Sequence, residues 1–200
     1  MDYSKYKQSR NAAWQILIDY NIRSLPVKVS SICRDMGIKI IDYDRGNEMI
    51  KYCKLEERCQ NNDGFTFENA IFYNNKCVIG RQRFTVAHEL GHILLHNGNG
   101  EYNREPIAVD NPKEQEANVF ASRLLAPACV LWGLNIATSE EIAQLCDISM
   151  QAAEFRLERL QRLYEREKQF IEKYNKSCFL QSPTEKQVYA QFQDFINSKL

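Results

Sequence analysis

Three histidines, the only ones in the 200-residue chain, lie within nine residues, at His88, His92 and His96. Because an α-helix turns by about 100° per residue, His88 and His92 lie one turn apart on one side of a helix and can reach a single ion. Glu89 lies further around the same polar side, where it can move protons without binding the ion. This His-Glu-x-x-His spacing is typical of a zinc site, in which the ion lowers the pKa of a water ligand to about 7.

A third zinc ligand must come from elsewhere in the chain, because a hydrolytic zinc site uses three protein ligands and keeps one position open. A second helix is predicted to begin with Asn111 as its N-cap residue and Pro112 in its first position. Glu114 lies in the first turn and is the favoured ligand. Glu116 is the less favoured alternative, since it points about 200° away around the helix. Glu114 also suits the simpler role of an N-terminal capping carboxylate.

Three further polar residues can contribute to such a site. Asn118, one turn beyond Glu114, can hold a ligand in place through a hydrogen bond. His96 can line the cleft or stabilise an oxyanion, or it can simply cap the end of its helix. Tyr102, in the connection between the two helices, is another oxyanion candidate.

The hydrophobic periodicity around the motif predicts an α+β fold. β-branched and aromatic runs predict three or four short strands before the motif, and the rest of the chain is predicted to be helical. Residues 44–63 show no clear pattern. Helices are predicted near residues 4–20, 27–36, 81–96, 111–125, 139–146 and 149–174 and from 183 onward, and strands near 38–43, 65–67, 70–73 and 76–79.

The last of these strands precedes the motif and is a candidate for binding an extended substrate. Asn74 and Asn75 are predicted to form a tight hairpin turn, because asparagine tolerates a positive φ. The strand would then carry Cys77, Val78 and Ile79 along the edge of the cleft. An extended peptide can pair with such an edge strand by β-augmentation.

The charge balance argues against a large surface for nucleic acid or lipid, because 26 basic and 26 acidic residues give a net charge of zero. Residues 142–156 resemble a helix-turn-helix in spacing, but Glu154 would face phosphate, so packing or protein docking is favoured over DNA binding. The seven cysteines form no CxxC pair, the first residues lack a secretory signal, and no apolar run could span a membrane. We therefore expect reduced thiols, no membrane association and a cytoplasmic location.

Two sequence blocks together resemble the ImmA/IrrE family of metallo-endopeptidases. The first is RFTVAHELGHILLH at residues 83–96, and the second is EQEANVFA at residues 114–121, followed by LLAP at residues 124–127. The resemblance extends over residues 20–130. One departure is Ala126, which stands where many members have methionine.

This resemblance implies a zincin-like minimal metallopeptidase core, in which a small twisted sheet supports the motif helix and a ligand helix. It implies one zinc ion per chain, held in the gluzincin manner by His88, His92 and a glutamate of the second block, with Glu89 as the catalytic base. It also implies a protein substrate, since characterised members cleave helix-turn-helix repressors of the XRE class that control mobile-element or stress genes.

We expect a zincin-like metallopeptidase domain over residues 1–130 and a helical extension with a weak helix-turn-helix resemblance over residues 131–200. The expected function is zinc-dependent cleavage of a peptide bond in a regulatory protein. The alternative is a non-catalytic metal-containing regulator that binds DNA or a protein through its C-terminal helices. Glu89 favours the enzyme, because a structural zinc site has no use for a base and usually fills all four positions with protein ligands.

Overall fold

The structure, a computed structural model, describes residues 6–96, 111–180 and 182–200. Within them the chain has three short strands and eleven helices, which confirms the predicted α+β class. No helix in these ranges is both long and apolar enough to cross a membrane. In chain order the elements are α1 (Lys7–Asp19), α2 (Val29–Asp35), β1 (Lys39–Asp42), α3 (Asn47–Tyr52), α4 (Glu56–Asn61), β2 (Gly64–Phe67), β3 (Ala70–Tyr73), α5 (Ile79–Leu95), α6 (Pro112–Leu125), α7 (Ala128–Gly133), α8 (Ser139–Cys146), α9 (Met150–Tyr174), α10 (Pro183–Gln191) and α11 (Gln193–Asn197).

The sheet is small and mixed, with the strand order β1-β3-β2. β1 runs parallel to β3, with Lys39 opposite Ala70, and β2 runs antiparallel to β3, with Gly64 opposite Tyr73. A short connection joins β2 to β3, and in it Glu68 has a positive φ of 49°. Among the described strands β2 therefore lies at one edge of the sheet, and α5 contacts both β2 and β3.

The described residues form two compact units. The first unit comprises the described residues up to Ala12 and the described residues within Lys28–Ala121. It holds the whole sheet and α5. The second unit comprises Ala13–Val27 and the described residues within Ser122–Leu200. Its described part contains helices and no strand. α1 and α6 each contribute residues to both units. The domain boundary expected at residue 130 stays a prediction.

Two short helices within residues 44–63 pack on one face of the sheet. Ile50 of α3 and Leu55, which precedes α4, are both buried in a cluster with residues of this face. The rings of Phe65 and Phe72 stack in the same cluster, with their centroids 5.1 Å apart. Each of the two helices spans only six residues, which is too short for a helical period to be visible in the sequence.

The strand predicted over residues 76–79 is wrong, so Cys77, Val78 and Ile79 do not form the edge strand on which their predicted pairing with a substrate depends. Val78 is the N-cap residue of α5, and Ile79 is the first residue of that helix. Their side chains are largely exposed, at 72% for Val78 and 67% for Ile79. The hairpin lies between β2 and β3, one strand earlier than the sequence predicts.

Local hydrogen bonds explain why these residues form a turn instead of a strand. The side-chain oxygen of Asn74 accepts a hydrogen bond from the backbone N–H of Lys76 at 3.0 Å. The side-chain amide of Gln82 donates to the carbonyl oxygens of Asn75 and Cys77, at 3.0 and 2.6 Å. These backbone groups are satisfied without a neighbouring strand, so the β-branched residues that follow do not need a sheet.

The long helices of the second unit begin with side-chain caps. Thr138 and Glu141 form a reciprocal capping box at the start of α8. Ser149 caps α9 and Ser182 caps α10. These caps satisfy backbone N–H groups that the first turn of a helix leaves without a partner. The single last helix expected from the sequence is interrupted at Phe192, so α10 and α11 are separate.

α9 buries an arginine inside the second unit. The Arg156 side chain is only 1% exposed, and none of its guanidinium nitrogens has a hydrogen-bond partner among the residues that the structure describes. Burial lowers its pKa, and the charge of Arg123 lowers it further. Because removing an unpaired guanidinium from water is costly, Arg156 reduces the stability of this unit.

We expect the substitution Arg156→Met to stabilise the protein, because methionine is a long unbranched side chain that carries no charge into the core. The expected gain is about 1–2 kcal/mol, or roughly 2–8 °C in the midpoint of thermal unfolding. Scanning calorimetry measures it, with Lys168→Met at an exposed position of the same helix as the matched control. A lower midpoint for Arg156→Met, with the control unchanged, would show that the guanidinium stabilises the fold.

Candidate metal centre

α5 brings two imidazole nitrogens to one point. The helix buries Val86, Ala87 and Leu90 in the core of the first unit. His88 and His92 lie one turn apart, with ring centroids separated by 4.6 Å and Nε2 atoms separated by 3.0 Å. This is the arrangement that the one-turn spacing predicts.

α6 adds a carboxylate to the two imidazoles. The helix begins at Pro112, and the side-chain oxygen of Asn111 accepts a backbone N–H of the first turn at 3.0 Å. Glu114 lies in this turn, with Oε2 at 3.2 Å from His88 Nε2 and Oε1 at 3.3 Å from His92 Nε2. One ligand atom from each of the three side chains lies within 4.8 Å of the other two.

Gly91 lets α5 and α6 approach closely. A Cβ atom at this position would lie 3.0 Å from Cδ1 of Phe120 and 3.3 Å from Cα of Ala117. Both distances are shorter than the optimal separation between carbon atoms. Gly91 directly precedes His92, and Ala117 follows Glu114 by one turn. The contact therefore sets the distance between the imidazoles and the carboxylate.

The polar atoms at this point are arranged to accept a cation. His88 Nδ1 lies 3.0 Å from Asn118 Oδ1, which is an acceptor, so Nδ1 carries the ring proton and Nε2 presents a lone pair. Protons on both Nε2 atoms would point at each other across 3.0 Å, whereas one divalent ion satisfies all three side chains. In a tetrahedral zinc site with bonds of about 2.0–2.1 Å, neighbouring ligand atoms lie roughly 3.3 Å apart. The two Nε2 atoms are 3.0 Å apart, and different oxygens of Glu114 lie 3.2 Å from His88 and 3.3 Å from His92, so the three side chains are close enough to share one ion.

Glu114 is ionised at neutral pH. The polar contacts with His88 and then with His92 lower the pKa of its carboxyl group well below the usual range, and this outweighs burial, which raises the pKa. Metal ligands must be deprotonated before they bind. Glu114 therefore meets a cation without first having to release a proton.

Glu89 lies next to His88 in the same helix and is held by the sheet. Its side chain is 4% exposed, and its Oε2 accepts a hydrogen bond from the Thr66 hydroxyl at 3.0 Å. Sequence reasoning missed Thr66. The available signal is the alternation along β2, in which Gly64 and Thr66 share one face of the strand.

The remaining candidates have separate surroundings. Glu116 Oε2 lies 3.6 Å from His96 Nε2, so Glu114 and not Glu116 meets the imidazole pair. His96 occupies the C-cap position of α5, and its Nε2 lies 3.3 Å from the carbonyl oxygen of Lys113. Burial is the main cause that lowers the pKa of His96. An oxyanion role for His96 stays a prediction, and Tyr102 lies outside the described residues.

The family model Peptidase_M78, described as the IrrE N-terminal-like domain, matches residues 33–158, which is more than half of the chain. The protein therefore belongs to this metallopeptidase family, and the resemblance seen in the two sequence blocks is confirmed. The matched region contains all three side chains of the candidate metal centre. Among curated proteins, no sequence matches this chain significantly.

We expect Glu114→Gln to weaken zinc binding by at least about a hundredfold, because a neutral amide replaces the ionised ligand. Glu116→Gln is the matched control and is expected to bind zinc like the wild type, since Glu116 contacts His96 instead of the imidazole pair. Competition with a chromophoric chelator gives the affinities, and elemental analysis gives the stoichiometry. Equal affinities for the two variants would mean that Glu114 is not a ligand.

We expect Gly91→Val to force α5 and α6 apart and to destabilise the protein by about 1–3 kcal/mol through overpacking. Zinc affinity should fall as well, because the carboxylate moves away from the imidazoles. Gly91→Ala adds fewer atoms and should give a smaller effect of the same sign in thermal unfolding and in zinc titration. If zinc affinity stayed constant across the two variants, the close contact between the helices would not determine the site.

Proposed function

We propose that this protein is a zinc-dependent endopeptidase that hydrolyses a peptide bond in a regulatory protein. The observation that carries the proposal is the convergence of His88, His92 and Glu114 on one point, with Glu89 next to His88 in the same helix. Membership of the family supports a peptidase in general. Two imidazoles and one carboxylate support zinc in particular, with one ion per chain and a fourth position left for water and substrate.

The chemistry follows from the surroundings of each side chain. Zinc held here would act as a Lewis acid and lower the pKa of a water ligand. Glu89 would take a proton from the attacking water and return it to the amine as the peptide bond breaks. Thr66 holds the Glu89 carboxylate by one oxygen, and Asn118 fixes the ring of His88.

The substrate we propose is a helix-turn-helix repressor of the XRE class in the cytoplasm, on the strength of the family resemblance. The α8–α9 pair offers little to DNA. Arg156 is buried, and Arg162 forms an ion pair with Glu158 of the same helix. Phe155 is 59% exposed, and an exposed aromatic side chain suits contact with a protein better than contact with phosphate. We therefore infer a protein partner and no direct contact with nucleic acid.

The alternative is a non-catalytic regulator in which the metal has a structural role. A structural zinc site closes all four positions with protein ligands, whereas three candidate side chains meet at this point within the described residues. Glu89 is buried at 4% exposure, which is unfavourable for a carboxylate that serves no purpose. Both observations favour the enzyme.

We expect Glu89→Gln to keep its zinc and to lose proteolysis. Glutamine preserves the shape of the side chain but cannot carry a proton, so kcat should fall by about a hundred- to ten-thousandfold. Wild type and variant are each expressed together with a candidate repressor of the XRE class, and mass spectrometry identifies the fragments. Elemental analysis of the same preparations measures zinc.

Three outcomes are informative in this experiment. If wild type and Glu89→Gln hold one zinc each and leave the same fragments, the enzymatic function is excluded. If another protein is cleaved and the repressor is not, the chemistry stands and the proposed substrate is wrong. Removal of zinc by a chelator should stop cleavage, and adding zinc back should restore it.

A further inference from the structure

β2 presents different side chains on its two faces. Phe65 and Phe67 pack with Phe72 in the apolar cluster on one side of the sheet. Successive residues of a strand point to opposite faces, so Gly64 and Thr66 lie on the other side, towards α5. Thr66 is therefore the polar side chain that β2 directs at the motif helix.

Thr66 contacts the candidate base directly. Its Oγ1 lies 3.0 Å from Oε2 of Glu89. An ionised carboxylate only accepts hydrogen bonds, so the threonine hydroxyl is the donor. Hydrogen bonds to a charged acceptor are stronger than those between neutral groups. The contact fixes one carboxylate oxygen of Glu89, Oε2, relative to β2.

Gly64 determines how closely β2 approaches α5. A Cβ atom at this position would overlap the methyl group of Thr85 in α5 and would lie 2.9 Å from the carbonyl oxygen of Phe72. Glu89 Cγ lies 3.7 Å from the same point. A side chain at residue 64 would push the strand away from the helix and lengthen the distance between Thr66 and Glu89.

Thr66 is itself held in place. Its carbonyl oxygen accepts a hydrogen bond from Nη1 of Arg58 at 3.4 Å. Its neighbours Phe65 and Phe67 pair with β3 and are packed in the apolar cluster. A β-branched side chain also has few χ1 choices. The hydroxyl therefore has one defined position relative to Glu89.

We propose that Thr66 is a positioning residue for the base Glu89, and that the absence of a side chain at Gly64 is what makes the contact possible. Thr66 holds Oε2 so that Oε1 keeps one orientation towards the water and the leaving amine. The hydroxyl acts through Glu89. This inference rests on the proposed peptidase function, which it deepens.

The test compares Thr66→Val with Thr66→Ser. Valine has the shape of threonine without the hydroxyl, whereas serine retains the hydroxyl. We expect Thr66→Val to lower kcat by roughly ten- to a hundredfold, the effect of losing one hydrogen bond to a charged group. KM and zinc content should stay near their wild-type values, whereas the midpoint of thermal unfolding should fall by a few degrees, because a buried carboxylate loses a hydrogen bond. Thr66→Ser should recover most of kcat, which a purely structural role would not explain.

A readout independent of activity is the conformation of Glu89 in crystals of the wild type and of Thr66→Val. We expect one conformation bonded to Thr66 in the wild type and several in the variant. The same single conformation in both proteins would overturn the inference, and so would a kcat for Thr66→Val within twofold of an active wild type. A wild type that cleaves nothing would refute the peptidase function instead, while the crystals still decide the role of Thr66.

Gly64→Ala supplies a second, independent variant. It keeps the hydroxyl of Thr66 but moves β2 away from α5, so kcat should fall although no polar group is lost. The zinc content should stay at the wild-type value, because the three candidate ligands lie on α5 and α6. Activity equal to the wild type, together with an unchanged distance between Thr66 and Glu89, would show that Gly64 is not required.

Discussion

The candidate metal centre depends on three hydrogen-bond acceptors that face one point, and these belong to His88, His92 and Glu114. Two imidazole nitrogens and a carboxylate converge within 4.8 Å, an arrangement that is favourable only around a positive charge. α5 supplies two of them from adjacent turns, so a second helix must be held at a fixed distance to supply the third. The contact of Gly91 with Ala117 provides that distance, and the cap at Asn111 fixes the turn that carries Glu114.

The two carboxylates of this region have different surroundings, and the surroundings separate their roles. Glu114 contacts two imidazoles, and its side chain is 34% exposed. Glu89 is almost wholly buried and bonds to a neutral hydroxyl from the edge of the sheet. A carboxylate among imidazoles suits metal binding, whereas a buried carboxylate that accepts a hydrogen bond from a neutral hydroxyl suits proton transfer. The small sheet therefore contributes to the site directly, through Thr66, as well as supporting α5.

The part of the site that lies on helices could be predicted from the sequence, because helical geometry is local. His88 and His92 follow from the spacing, and Glu114 follows from the phase of the second helix and its cap. Thr66 could not be predicted, since its contact with α5 depends on which strands pair. The error at residues 76–79 has a similar cause. The β-branched residues there predict a strand, but whether they form one depends on hydrogen-bond partners elsewhere in the chain.

The two compact units are interleaved along the chain. The backbone leaves the first unit within α1, returns to it before α2 and leaves it again within α6. No single break in the polypeptide can separate them, so each unit depends on a covalent path through the other. Genetic recombination at a single point in the chain would therefore separate the segments of at least one of the two units. The unit that carries the candidate metal centre and the helical second unit are therefore expected to be inherited together, and not exchanged as independent modules.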